Sequence, residues 1–282
     1  MSLPDFLIEP VVRMALAEDM GRAGDLTAQA CIPADARMRA VIAARRTGVA
    51  AGLAAARIAV RMLDADASVI LRASDGDAFE AGAVLVEIEA DARALLTAER
   101  TALNLIGRMC GVATLTREYV RAVEGTGVRI ADTRKTTPGL RALEKHAVRC
   151  GGGVNHRFGL DDAILIKDNH IAVCGGVAQA IRAARAHAGH LVKVEVEVDD
   201  LMQLDEALFE APDVVMLDNF GLEDLRAAVN RVQGAGARPG LEASGGVNLQ
   251  TVRAIAETGV DVISVGALTH SAASLDVGLD VV

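Results

Sequence analysis

Three observations predict an α/β fold for this chain. From about residue 128, strand-like runs (VRIADT, AILIKD, VKVEVEV, VVMLDN, LEASGG, VISVG) alternate for the most part with helical stretches (AQAIRAARAHA, LMQLDEALFE, EDLRAAVNRV, LQTVRAIAETG). Such a βα repeat implies a parallel sheet or a barrel. Hydrophobic residues make up 51% of the 282 residues but aromatics only 2%, so the core is built from Ala, Val, Leu and Ile. Each strand-like run carries a charged or hydroxyl residue in its last three positions, and chemistry in a (β/α) barrel sits at those C-terminal strand ends.

The N-terminal half reads differently. Residues 3–18 carry Phe6, Leu7, Val11, Met14 and Ala15 at helical spacing. Strands are expected at 41–44, 67–73 and 83–90. The segment DGDAFEAGAVLVEIEAD (75–91) has the turn-and-strand outline of a lipoyl or biotinyl carrier. A carrier needs an acceptor lysine, and the first 134 residues contain none. It is therefore a structural strand-turn-strand. A helix is expected from Thr97 to Val123, carrying Arg100, with Gly107 and Gly111 bending or dividing it.

Bulk composition excludes several classes. The net charge is -9, with no Trp, one Tyr and five Phe, which argues against nucleic-acid binding. No uncharged apolar run reaches membrane-span length. The start MSLPDFLIEP lacks a basic segment and a cleavage site, so no secretory signal is visible. Cys31, Cys110, Cys150 and Cys174 form no CxxC pair, and no His stands at zinc-finger spacing. The expectation is free thiols in a cytoplasmic protein. Cys150 adjoins a glycine triplet but has no evident base partner, so it is expected to be buried and incidental.

One stretch concentrates the chemistry. Asp132 to His170 holds Arg134, Lys135, Arg141, Lys145, Arg149, Arg157 and Lys167, with His146, His156 and His170 among them. Basic groups gathered in an acidic chain point to a local anion site. The forks of Arg134 and Arg157 suit carboxylate or phosphate, and lysine suits point-charge contact with phosphate. Only four lysines occur, at 135, 145, 167 and 193. Lys135 and Lys167 each end a strand-like run, whereas Lys145 fits a solvated helix face equally well. In Lys193-Val194-Glu195-Val196-Glu197-Val198, period-2 spacing puts Lys193, Glu195 and Glu197 on one face. A strand inside a βα series is covered on both sides, so that polar face should point into the barrel mouth. Ser244-Gly245-Gly246 follows a strand and precedes a helix, and Gly266, followed by Thr269 and His270, closes the next unit. Late βα loops of this kind hold phosphate on backbone N–H groups.

The motifs EDMGRAGDLT (18–27), AERTALNLIGRMCGVAT (98–114), the whole 132–170 stretch, VEVEVD (194–199), MLDNF (216–220), EASGGV (242–247) and GVDVISVGALTHS (259–271) resemble, in order, those of the quinolinate phosphoribosyltransferases. The resemblance implies an N-terminal α/β sandwich (1–110, joined by the tail 271–282) and an incomplete (β/α) barrel (111–270), the type II phosphoribosyltransferase architecture. It implies an enzyme of de novo NAD synthesis. Quinolinate and phosphoribosyl pyrophosphate would give nicotinate mononucleotide, pyrophosphate and CO2. By the same resemblance Arg134, His156 and Arg157 hold the quinolinate carboxylates. Arg100 arrives from the other subunit of a homodimer. Lys135 and Lys167 contact the substrates. Glu197 and Asp218 organise Mg2+ and the ribose hydroxyls, and Ser244, Gly245, Gly246, Gly266 and His270 hold phosphate. Rivals of the same architecture are a nicotinate-type phosphoribosyltransferase and the homologue found with molybdate-transport genes. The DTRKTTPG and KDNH segments favour the quinolinate enzyme. A non-catalytic phosphate-binding barrel is opposed by the full acidic and basic set at the strand ends.

Overall fold

The computed structural model describes residues 3–233 and 238–282. In chain order the elements are α1 (Asp5–Met20), α2 (Leu26–Cys31), β1 (Arg37–Ala44), β2 (Gly48–Val49), α3 (Ala54–Leu63), β3 (Ser68–Leu71), β4 (Ala78–Phe79), β5 (Val84–Asp91), α4 (Ala92–Ala122), β6 (Arg129–Ala131) and α5 (Arg141–Gly151). Then follow β7 (Ile164–Ile166), α6 (Asp168–Cys174), α7 (Val177–His187), β8 (Val194–Val198), α8 (Leu201–Phe209), β9 (Val214–Asp218), α9 (Leu222–Gln233), β10 (Gly240–Ser244), α10 (Val252–Ala256), β11 (Val262–Ser264), α11 (Ala267–His270) and β12 (Val277–Val281).

The chain forms two compact units. One comprises the residues up to Arg117 together with Thr136–Gly152 and Leu268–Val282; the other comprises Glu118–Lys135 and Gly153–Ala267. The helix α4 runs unbroken through the boundary expected at residue 110. Residues 136–152 pack with the first unit and the rest of the basic stretch with the second.

The first unit is built on an antiparallel sheet in the order β12-β1-β5-β3. The chain end thus enters the N-terminal sheet, with Ile42 opposite Leu279. Ala55, Ala56, Ala59 and Val60 on α3 are buried; small side chains let the elements approach closely. Gly107 and Gly111 do not divide α4. A Cβ on Gly107 would lie 2.8 Å from the Leu275 carbonyl, and one on Gly111 would lie 2.0 Å from the Ala273 carbonyl. The glycines are needed because the C-terminal segment lies directly on the helix, where Leu275 N–H donates to the Gly107 carbonyl (2.8 Å). Glu144, fully buried, accepts from Arg108 (3.0 and 2.7 Å) and from Thr137 N–H and hydroxyl (3.0 and 2.7 Å). Arg108 also donates to the Thr269 and Ala272 carbonyls. Lys145 is 2% exposed, so the solvated-face reading fails. Cys150 does have a base nearby, with its Sγ 3.4 Å from His146 Nε2. Burial nevertheless pushes its thiol up to about 12, so it remains protonated and is no nucleophile.

The second unit is a parallel sheet in the order β6-β11-β10-β9-β8-β7. The first strand of the series therefore pairs with the last, Ile130 beside Ile263. The order leaves β6 and β7 as the two unpaired edges, so the βα series does not close, as expected of an incomplete (β/α) barrel. Val194, Val196 and Val198 are buried on one face of β8, while Glu195 and Glu197 take the other. Lys193 precedes the strand and is exposed.

The close approach at α4 generates a stability prediction. Alanine at position 111 adds ~1 kcal/mol of helix propensity. Forcing its methyl against a backbone carbonyl should outweigh that by ~1–3 kcal/mol. Thermal unfolding of Gly111→Ala should therefore show a lowered midpoint. An unchanged midpoint would mean that residues 273–275 do not rest on the helix.

Candidate active site

All six strands of the parallel sheet run the same way, so their C-terminal ends share one edge. Thr133, Arg134 and Lys135 follow β6, and Lys167 follows β7. Glu197 and Asp218 lie on β8 and β9, Ser244 ends β10 with Gly245-Gly246 after it, and Ser264 ends β11. With His156 and Arg157 they line one cleft of about 540 Å³. Ten of the thirteen residues singled out in the sequence thus meet in one place. Gly266 follows β11 in the same unit. Arg100 and His270 belong to the first unit. The Arg100 side chain is exposed on α4, and His270 Nδ1 is 2.6 Å from the Ser271 hydroxyl.

Asp132, fully buried at the end of β6, organises one wall. Its carboxylate accepts from His156 N–H (2.9 Å) and from the Asn155 amide (2.6 Å). That fixes the strap from which His156 and Arg157 project. Arg157 N–H donates to His156 Nδ1 (2.7 Å), and His156 Nε2 lies 3.0 Å from Glu195 Oε2. Both ring nitrogens are thus occupied within the protein. A carboxylate could bind to His156 only if the ring turned out of this arrangement. Arg157 donates to the Ala163 carbonyl (3.3 Å). Burial and then the nearby charge of Arg134 hold its pKa below the ordinary arginine value. Two guanidiniums kept close enough to repel each other mark a place for an anion.

The acidic groups lie opposite. Lys167 Nζ is 2.7 Å from Glu197 Oε2. Asn219 was missed in the sequence, although it stands inside the MLDNF motif. Its amide donates to Asp218 Oδ2 (2.6 Å) and its N–H to the Ser244 carbonyl (2.9 Å). Its φ is +56°, a left-handed conformation that Asn tolerates better than most residues. Gly245 must be glycine, because its φ is +92° and a Cβ there would meet Asn219 Oδ1 at 2.1 Å. Asn219 thus joins the β9 carboxylate to the glycine loop. Glu242 and Ser264 were also missed. Glu242 shares a strand face with Ser244 two residues on, a period-2 signal that a single glutamate does not announce.

Cations from three segments, two accessible carboxylates and a glycine turn at the carboxyl edge of a parallel barrel define an α/β enzyme class that handles phosphorylated and carboxylated anions. The sequence matches the quinolinate phosphoribosyl transferase C-terminal domain over residues 112–280 and the N-terminal domain over 25–110. The chain belongs to the quinolinate phosphoribosyltransferase family. It is 48% identical over 271 residues to the carboxylating nicotinate-nucleotide pyrophosphorylase of Mycobacterium leprae, covering 95% of each chain. A probable enzyme of the same name from Bacillus subtilis is 47% identical, over 94% of this chain and 90% of that one. The nicotinate-nucleotide pyrophosphorylase structure from Francisella tularensis superposes with a TM-score of 0.94 at 40% identity, covering 100% of this chain and 98% of that one.

The Asn219 contacts generate a second prediction. Asn219→Gly keeps the left-handed backbone and removes the amide. Stability should hold within ~1 kcal/mol. Affinity for inorganic pyrophosphate, measured calorimetrically, should fall roughly tenfold, the loss of about one charge-assisted hydrogen bond's ordering. Unchanged affinity would show that the amide does not order Asp218.

Proposed function

We infer that this chain transfers the phosphoribosyl group of phosphoribosyl pyrophosphate to the ring nitrogen of quinolinate. Pyrophosphate and CO2 leave, and nicotinate mononucleotide forms. The observation that carries this reading is the crowding of Arg134, Lys135, Arg157 and Lys167 around one cleft with a glycine turn at its edge. One substrate brings two carboxylates, the other a phosphate and a pyrophosphate, and each needs cations.

Arg134 and Arg157 take the quinolinate carboxylates and orient the ring nitrogen toward C1 of the ribose. The N–C1 bond forms as the C1–O bond to pyrophosphate breaks, through an oxocarbenium-like state. Lys135 and Lys167 stabilise charge on the departing oxygens, Lys167 leaving Glu197 to do so. Ser244 and the N–H groups of Gly245 and Gly246 hold phosphate, with Gly266 assigned to the same role. Glu197 and Asp218 are hard oxygen donors on adjacent strands. They fit a Mg2+ ion, which when bound neutralises pyrophosphate charge. The C2–CO2 bond then breaks, and its electron pair stays on C2, stabilised by the adjacent cationic ring nitrogen, until a proton adds there. Among the described residues no helix is long and apolar enough to cross a membrane.

The direct test is turnover with quinolinate, phosphoribosyl pyrophosphate and Mg2+, following nicotinate mononucleotide and CO2. Product without CO2, or turnover only with nicotinate, would overturn the assignment in favour of the nicotinate-type rival. Arg134→Lys keeps charge but loses the fork. The lost charge-assisted bond, ~1.5–3 kcal/mol, should raise the quinolinate KM at least tenfold. A normal KM would remove Arg134 from carboxylate recognition.

We further propose a homodimer in which Arg100 of one subunit completes the site of the other. Arg100 is exposed on α4, its nearest carboxylate being Glu99 at 4.0 Å. Arg100→Ala and Lys135→Ala should each be nearly inactive. Mixed and reassembled, they should recover roughly a quarter of wild-type activity, since half the dimers are mixed and each has one intact site. No recovery despite demonstrated subunit exchange would place Arg100 outside the partner's site.

A further inference from the structure

Beneath the cleft lies a layer of polar groups that the chemistry above does not use. Glu195 on β8 is 8% exposed, Glu242 on β10 4% and Ser264 on β11 3%. His156 Nδ1 accepts from Arg157 N–H, so the ring proton sits on Nε2 and is donated to Glu195 Oε2 at 3.0 Å. Glu242 Oε1 is 3.6 Å from the same nitrogen, beyond a hydrogen bond. Glu195 Oε1, Glu242 Oε1 and the Ser264 hydroxyl are buried with no well-aligned hydrogen bond, although the Ser264 hydroxyl is close enough to Glu242 to draw its carboxyl pKa down. Orphaned buried polar atoms call for a shared proton, a water or an ion.

A divalent cation is the poorer answer, since it would stand beside two guanidiniums. Arg157 feels both the repulsion of Arg134 and the attraction of Glu195. Two buried carboxylates sharing the His156 N–H, with only the Ser264 hydroxyl beside Glu242 as a further donor, cannot both ionise cheaply, so one keeps a proton. Glu195 already accepts from His156, which leaves the proton on Glu242. We propose that Glu242 is a positioning residue for the acceptor, acting through Glu195 and His156, and that it takes up a proton as the dicarboxylate docks on Arg134 and Arg157. This rests on the dicarboxylate reading of the cleft. Burial, and next the charge of Glu195, push the Glu242 carboxyl up to about 7. The other titratable groups facing it are His156 and Asp132. Its register neighbours are Met216 on β9 and Val262 on β11, neither of which titrates.

The sign follows. As pH rises through about 7, Glu242 of the free protein ionises and opposes an incoming dianion. The bound dianion raises Glu242 further, so binding just above neutrality draws in a proton. The test is calorimetry of quinolinate binding, without the phosphoribosyl donor, from pH 6 to 8 in buffers of different ionisation heat. For the wild type the Kd should weaken about fivefold over that range, with fractional proton uptake above neutrality. Glu242→Gln, neutral and of the same shape, should bind near the wild-type pH 6 strength throughout and take up no proton. Its kcat at saturating quinolinate should stay within about twofold, confining the effect to binding. Wild-type binding with no uptake, which needs no variant, would overturn the proposal. So would an identical pH profile in Glu242→Gln, or tight Mn2+ or Zn2+ binding to the free protein that Glu242→Gln abolishes. No quinolinate binding by the wild type at pH 6 would instead overturn the dicarboxylate reading, and this role with it.

Discussion

The pairing of β6 with β11 is the constraint on which the site depends. Arg129, Ile130 and Ala131 lie beside Val262, Ile263 and Ser264, well over a hundred residues later. Without that pairing β6 would leave the sheet, and the basic segment after it would lose its place near the serine-glycine turn after β10. β6 and β7 remain the two unpaired edges of the sheet. The 153–163 strap bridges to the β6 edge through Val154 and Ala131 and carries His156 and Arg157. A parallel sheet buried on both faces then converts strand direction into chemistry, because every strand delivers its last residues to one edge.

The cleft is also a balance of charge in depth. Arginines and lysines stand at its wall, and buried carboxylates lie below. Asp132 holds the strap and Glu195 holds the His156 ring. Lys167 is paired with Glu197, and Asp218 with the Asn219 amide. Arg157 is held below its ordinary pKa by burial and by Arg134, so an anion relieves a repulsion that the fold maintains. A site prepared in this way costs folding free energy and spares reorganisation at the moment of binding.

Much of this was legible in the sequence. The βα alternation from residue 128 matches β6 to β11, and the clustered cations of 132–170 mark the cleft, because covalent order and period-2 alternation are local properties. The inward turn of Glu195 and Glu197 followed from spacing alone. Other features were not legible. Gly107 and Gly111 read as breaks in a helix, whereas they serve a chain segment about 160 residues away in sequence. Lys145, which fitted a solvated helix face and a functional place equally well, is buried. Cys150 read as having no base partner and has His146 on the next turn of its own helix.

What the sequence determined by itself was the class of fold, the direction of each strand and which residues stand at the strand ends, since these follow from patterns within a few residues of the chain. What only the tertiary structure decided was which of those residues face one another. Asn219 clasps Asp218 and crowds Gly245, the His156 tautomer is set by Arg157 and Glu195, and Glu242 Oε1 is left without a well-aligned donor. Burial and hydrogen-bond geometry are set by groups brought together from distant positions, and a linear pattern carries no record of those distances.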